Sequence, residues 1–209
     1  MEKIRSKHPS FLLVFGLLST IVFSQSKSGI ENYNLLSRSE VYVWMPIVHY
    51  QFSKGFYTEL RYNYEDVQTL SLYAGKTYAG GKALNYTVTP MIGFSKGKFT
   101  GFSIAANFDA EWKSLYFSSQ TQYSTGTKKE IADFFFCWSE LGYNISKNIF
   151  GGFAAQLTRQ NGLDEFQPGF VAGVIFKNIT IPVYAFSPFR TDCSVIIGLN
   201  YEFEFKRKR

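Results

Sequence analysis

Glu59, Arg61 and Glu65 are spaced two and four residues apart within Phe56 to Glu65, a segment that alternates apolar and polar side chains. At a strand's period of two, all three share one face. Asp109 and Glu111 repeat the arrangement within Phe102 to Trp112, and Glu140, Glu202 and Glu204 stand inside later segments of the same kind. Carboxylates and a guanidinium on one polar face have two uses. They can line an aqueous path and set its ion preference, or they can satisfy one another as pairs inside a narrow interior. Both signs on one face favour pairing over a conductive ring. The candidate cluster is therefore Glu59, Arg61, Glu65, Asp109, Glu111, Glu140 and Glu202, read as facing an enclosed lumen.

Other chemistry finds little support. A nucleophile or activated water needs a base steered by an acid, and the only histidine beyond the first ten residues is His49. It shares strand parity with Val41, Val43 and Ile47, which predicts an outward, membrane-interfacial position near Lys54-Gly55. No catalytic residue is assigned. One histidine, two separated cysteines and scattered carboxylates match no zinc or calcium spacing, so neither metal nor cofactor is expected. Gly75, Gly80 and Gly81 match no phosphate-binding pattern and fit turn or close-approach roles. Cys137 and Cys193 lie in apolar runs and read as small fillers, not a bridge. Asn85, Asn144 and Asn178 begin sequons, two of them inside strand-like segments, where coincidence is the better explanation.

These residues need strands to position them. In Phe56 to Glu65, Phe56, Thr58, Leu60, Tyr62 and Tyr64 form the apolar row opposite Tyr57, Glu59, Arg61, Asn63 and Glu65. Phe102, Ile104, Ala106, Phe108, Ala110 and Trp112 likewise oppose Ser103, Ala105, Asn107, Asp109 and Glu111. A helix would mix these sets. Further strands are predicted at Glu40 to Phe52, Leu70 to Tyr78, Leu84 to Ser95, Ser114 to Ser124, Phe134 to Ser146, Ile149 to Arg159, Phe166 to Phe176, Ile179 to Phe186 and Cys193 to Phe205. That makes eleven segments. A strand near Glu31 to Arg38 would make twelve, whereas Leu70 to Tyr78 read as a loop would leave ten. Trp138 shares a face with Glu140, Gly142 and Asn144, which places it inside. Short turns at Lys54-Gly55, Lys147-Asn148 and Lys177-Asn178 contrast with longer polar connections at Thr125 to Asp133, Gln160 to Glu165 and Pro188 to Asp192. Short turns at one end and longer loops at the other are the asymmetry of membrane barrels.

The termini carry the charge. The net +6 would suggest nucleic acid or an anionic surface, yet 15 basic and 15 acidic residues balance between Gln25 and Glu204. A neutral body argues against a phosphate-binding groove. The excess sits in Lys3, Arg5 and Lys7 and in the closing Lys206 to Arg209. A basic start, the apolar run Phe11 to Phe23 and the small or polar residues after it predict a cleavable signal peptide over 1–24, too short to span a bilayer as a helix. The barrel then covers 25–205 and a basic tail 206–209.

The ending "IIGLNYEFEF" resembles the C-terminal strand by which outer-membrane β-barrel proteins are recognised for assembly. With "FFFCWSELGYNIS" from Phe134 to Ser146, the exported chain is similar to small, porin-like barrels of that broad family. It departs from their pattern in carrying Lys206 to Arg209 after the terminal aromatic. The resemblance implies an all-β, antiparallel up-and-down transmembrane barrel of 10–12 strands in the bacterial outer membrane. Its implied partners are outer-membrane lipid and the barrel assembly machinery. Its implied role is a narrow passage for small solutes or a closed structural barrel, without enzymatic activity. Two alternatives stand beside it: a lipid-modifying or proteolytic barrel enzyme using His49, and a soluble secreted β-protein that binds an apolar ligand.

Overall fold

A computed structural model describes residues 27–37 and 42–204. The signal peptide expected at 1–24, the start of the Glu40 to Phe52 segment, the terminal aromatic Phe205 and the tail 206–209 lie outside the described residues.

Among the described residues thirteen strands pair antiparallel around one sheet. They are β1 (Lys27–Ser37), β2 (Val43–Gln51), β3 (Phe56–Tyr62), β4 (Leu70–Lys76), β5 (Tyr78–Gly81), β6 (Asn85–Lys96) and β7 (Gly101–Trp112). After them come β8 (Leu115–Gly126), β9 (Phe134–Asn144), β10 (Ile149–Gln160), β11 (Leu163–Phe176), β12 (Ile179–Phe186) and β13 (Ser194–Glu204). First and last strands pair from Lys27 opposite Glu204 to Ser37 opposite Ser194. The ring closes on the far side, where β4 pairs both β3 and β6.

Strands β4 and β5 are two halves of one strand. Gly75 lies opposite Met91 and Tyr78 opposite Val88, which is a single register on β6. The ladder is interrupted where Lys76 and Thr77 face Pro90 and Thr89. Proline has no N–H to give a ladder, and the Thr77 amide donates instead to the Gly55 carbonyl at 2.8 Å. The Thr77 and Thr89 hydroxyls, 2.9 Å apart, bridge the gap. The barrel therefore has twelve staves, one of them broken, and the first is the additional strand near Glu31. A closed barrel leaves no long open edge to pair with another chain.

Outward and inward rows follow the period of two. Phe102, Ile104 and Trp112 are 62%, 64% and 47% exposed on β7, while Ser103 and Ala105 between them are buried. The same outward row contains Leu60, Leu72, Ile92, Phe153, Phe170, Val174, Ile197 and Leu199, all exposed. An apolar surface that encircles the whole barrel is far larger than the patches water-facing proteins expose, and it meets hydrocarbon without cost. No helix among the described residues is long and apolar enough to cross a membrane, so this belt is what a bilayer would contact.

The two ends differ. The end where β1 begins and β13 stops, the termini end, also carries the turns at 52–55, 82–84, 113–114, 145–148 and 177–178. The other end carries the connections at 63–69, 97–100, 127–133, 161–162 and 187–193. One connection is shorter than expected. Gln160 to Glu165 is not a loop: β10 and β11 run on to a two-residue turn, with Asn161 at φ 54° and Gly162 at φ 76°. Asn-Gly accepts positive φ at both turn positions, the conformation that matches the twist of flanking strands.

Candidate functional site

Inside the barrel the inward rows build two unlike walls. One is polar and centres on Arg61, a fully buried side chain. Its Nε donates to a Glu59 carboxylate oxygen, and its Nη1 donates to Gln122 Oε1 at 2.8 Å and to Glu65 Oε1 at 3.4 Å. Its plane covers the rings of Tyr73 and Tyr64, with Cζ 4.2 Å and 4.7 Å from their centroids. Tyr73 donates to Glu65 at 2.8 Å, and Ser71 donates to the same carboxylate. A guanidinium taken from water is tolerable only when flanked by partners, here two carboxylates, an amide and two π faces, with Nη2 alone left without a hydrogen bond among the described residues. Tyr73 itself needs space opposite: a Cβ on Gly93 would lie 2.4 Å from its ring.

The second wall is aromatic. Trp138 packs edge-on against Tyr184 and Phe186, with centroids 4.9 Å and 5.5 Å apart, and tilts against Tyr33 at 5.9 Å. Its polar rims are pinned to acids. Tyr184 donates to Glu140 and Tyr33 to Glu31, each at 2.8 Å.

Glu65 comes from an unexpected place. The strand predicted through Glu65 ends at Tyr62, because Asn63 takes φ 58° and reverses the chain. Its side-chain amide donates to the Trp44 carbonyl and its side-chain oxygen accepts the Gln68 amide. This turn sends Tyr64 into the lumen, although its parity with Leu60 and Tyr62 predicted the outer row. There Tyr64 donates to Gln120 and meets Phe136 edge-on at 5.9 Å. Tyr64 and Trp138 line both of the principal cavities. They form the septum between them.

The larger cavity, about 670 Å³, reaches the end where the termini lie. Six carboxylates line it, those of Glu31, Glu59, Asp109, Glu111, Glu140 and Glu202, and His49 is its one basic side chain. The smaller cavity, about 290 Å³, lies on the loop side and is lined by Ser37, Glu165, Gln167 and Asp192 among others. Of the seven residues in the predicted cluster, Glu59, Asp109, Glu111, Glu140 and Glu202 thus share one cavity, and Arg61 and Glu65 pack into the polar wall beside it.

His49 does not face outward, as its parity with Val41, Val43 and Ile47 predicted. Met45, Ile47, His49 and Gln51 form the inner row of β2, while Trp44, Val48 and Tyr50 form its exposed row. This strand carries apolar residues on both faces, so polarity could not choose between them. His49 Nδ1 lies 3.2 Å from Glu31 Oε1, and its ring stacks on Tyr57 at 5.9 Å. Its ring also fills the space a side chain at position 29 would take, since a Cβ on Gly29 would stand 2.7 Å from Cε1. The acid Glu31 was the functional residue missed by sequence reasoning, because its strand carries a weak alternation. The signal that could have found it is closure: an even strand number required a partner for the last strand.

Among the described residues no group of three His, Cys, Asp or Glu side chains is arranged to hold a metal ion. Cys137 and Cys193 are both free.

No family model matches the chain, and no curated protein matches it by sequence. Solved structures do share its fold. A KdgM porin in complex with disordered oligogalacturonate superposes with a TM-score of 0.64 at 11% identity, covering 84% of this chain and 99% of that one. A NanC porin gives 0.58 at 9% identity, with coverage of 85% and 100%. The chain is thus an all-β antiparallel barrel of the outer-membrane porin fold, matched over nearly the full length of those proteins.

Proposed function

We propose that this chain is a bacterial outer-membrane barrel that passes small hydrophilic solutes, cations in preference to anions. The observation that carries this reading is the larger cavity, where Glu59 is paired with Arg61 and Glu31 with His49, while Asp109, Glu111 and Glu202 have no paired cation among the described residues. Low-dielectric walls focus such a field, raising the local concentration of counter-ions and repelling anions. The porin fold and the encircling apolar belt support the setting, and a signal peptide at 1–24 would provide the route. Recognition of the C-terminal strand by the barrel assembly machinery belongs to the same proposal.

The acidic lining also bears on what would pass. One fold neighbour was solved with oligogalacturonate, a polyanion. Here a polyanion would meet carboxylates at Asp109, Glu111 and Glu202, so neutral or amino-bearing solutes of similar size suit this lumen better. His49 is held against Glu31 and Tyr57, an arrangement that serves the wall, and the proposed role is non-enzymatic.

Planar bilayers holding the purified chain across a KCl gradient test the proposal. Single-channel steps are expected, with a reversal potential toward that of K⁺. The combined variant Asp109→Asn, Glu111→Gln and Glu202→Gln should bring it close to zero. Anion preference, or a reversal potential unmoved by the variant, would reject the reading.

A further inference from the structure

All five turns at the termini end carry a lysine: Lys54, Lys82, Lys113, Lys147 and Lys177, each exposed. None of these turns carries an acid. Connections at the other end share no such pattern: 127–133 mixes Lys128 and Lys129 with Glu130 and Asp133, 187–193 pairs Arg190 with Asp192 at 3.1 Å, 63–69 carries the acids Glu65 and Asp66 alone, and 97–100 carries Lys98 alone. The five lysines are spread around the whole circumference, one per turn.

Their height relative to the apolar belt gives the ring its meaning. Lys113 Nζ lies 4.9 Å over the Trp112 ring and Lys177 Nζ 5.4 Å over Phe176, and both rings are exposed at the belt's edge. A sixth lysine stands on the outer face itself. Lys76 shares the row of Leu70 and Leu72, with Nζ 5.9 Å from the Phe56 ring and 5.3 Å from Tyr78. The Thr77 amide bond to Gly55 holds the Lys54 turn against it. Aromatic rings of this kind settle at headgroup level, and a lysine beside them extends its ammonium to the same depth. Water alone does not explain a lysine, and no acid, in every one of the five turns at this end.

We infer that this basic-aromatic rim binds the anionic phospholipid headgroups of the membrane leaflet at the termini end, with Lys54 and Lys76 as its densest point. The inference rests on the membrane setting proposed above and adds a lipid preference to it. One lysine near an anionic surface is worth roughly a fivefold change in partition, so the ring as a whole would select its annular lipid and fix the barrel's depth.

Spin-labelled lipids in vesicles of phosphatidylcholine reconstituted with the full chain test this. The motionally restricted fraction of labelled phosphatidylglycerol should exceed that of labelled phosphatidylcholine several-fold at low salt and fall toward it at high salt. Lys54→Gln with Lys76→Gln should lower that excess, and Gln at all six positions should abolish it. Gln at Lys98, Lys128 and Lys129, on the opposite end, should leave it intact. Equal restriction of both lipids by the unaltered chain, or selectivity that survives all six substitutions, would overturn the inference and leave the membrane reading standing. Failure to restrict either lipid would instead remove the membrane reading. The Lys54 and Lys76 double variant keeps the test decisive should the sixfold variant fail to fold.

Discussion

Arg61 shows how a buried charge organises one wall of the lumen. Both carboxylates it holds, Glu59 and Glu65, lose their counter-charge when it is removed. Breaking a buried pair by deleting one partner costs about 3–5 kcal/mol, because the other is left desolvated. Arg61→Leu should therefore lower the denaturant midpoint of refolded barrel, read from heat-modifiable gel migration. The double change Arg61→Leu with Glu59→Gln should recover part of the loss. Gly93 makes a second residue-scale test. A Cβ added there would stand 2.4 Å from the Tyr73 ring, so Gly93→Val should displace Tyr73 and destabilise the same wall. Gly162→Ala, with no atom within 4 Å of its Cβ, should cost only about 1 kcal/mol of turn strain at φ 76°. The charged residues of β3 and β7 were legible from spacing alone. His49 and Tyr64 were not. Ile47 and Met45 are apolar yet face inward, and the reversal at Asn63 depends on hydrogen bonds to Trp44 and Gln68 that no spacing reveals.

At the scale of elements, period two did most of the work, and its failures have local causes. The outer row of β7 predicts that Ile104→Arg costs about 2–4 kcal/mol when that position lies near the bilayer midplane. Ser103→Ala on the other face of the same strand loses the hydroxyl's contacts with Ser124, at 2.8 Å, and with Tyr73 and should cost less, about 1 kcal/mol. Stability titrations of the two variants in vesicles compare the faces directly. The Leu70 to Tyr78 segment was ambiguous as sequence because its ladder is broken, and the break lies opposite Pro90, a residue whose meaning depends on the partner it faces. The Asn161-Gly162 turn, by contrast, was readable. Polar residues on both sides of it, Arg159 and Asp164, disguised two strand ends as loop, although they pair across the hairpin at 2.5 Å.

For the whole molecule, the barrel carries a septum of its own. Tyr64 and Trp138 separate a wide acidic cavity from a narrower one, so conductance is expected to be limited there. Tyr64→Ala should join the two cavities and raise single-channel conductance, while leaving the sign of the ion preference to the carboxylates beneath. An unchanged conductance in the folded variant would place the limiting point elsewhere. The fold class could be read along the chain, and five of the six cavity carboxylates stand in rows expected to face inward, Glu31 being the exception. Which side chain divides the lumen could not, since that depends on two elements far apart in sequence, β9 and the turn after β3, meeting across the interior.

The relation of the two faces to lipid and water underlies every expectation above. It is tested most directly by single cysteines placed in turn from Phe102 to Trp112 of β7, with Cys137 and Cys193 replaced by serine, in reconstituted vesicles. Reaction with a water-soluble maleimide should be confined to the Asn107, Asp109 and Glu111 positions that line the larger cavity, and quenching by spin-labelled acyl chains to Phe102, Ile104, Phe108 and Trp112. If the Phe and Ile positions were instead shielded from both probes, packed against protein and touching no lipid, the account would be contradicted.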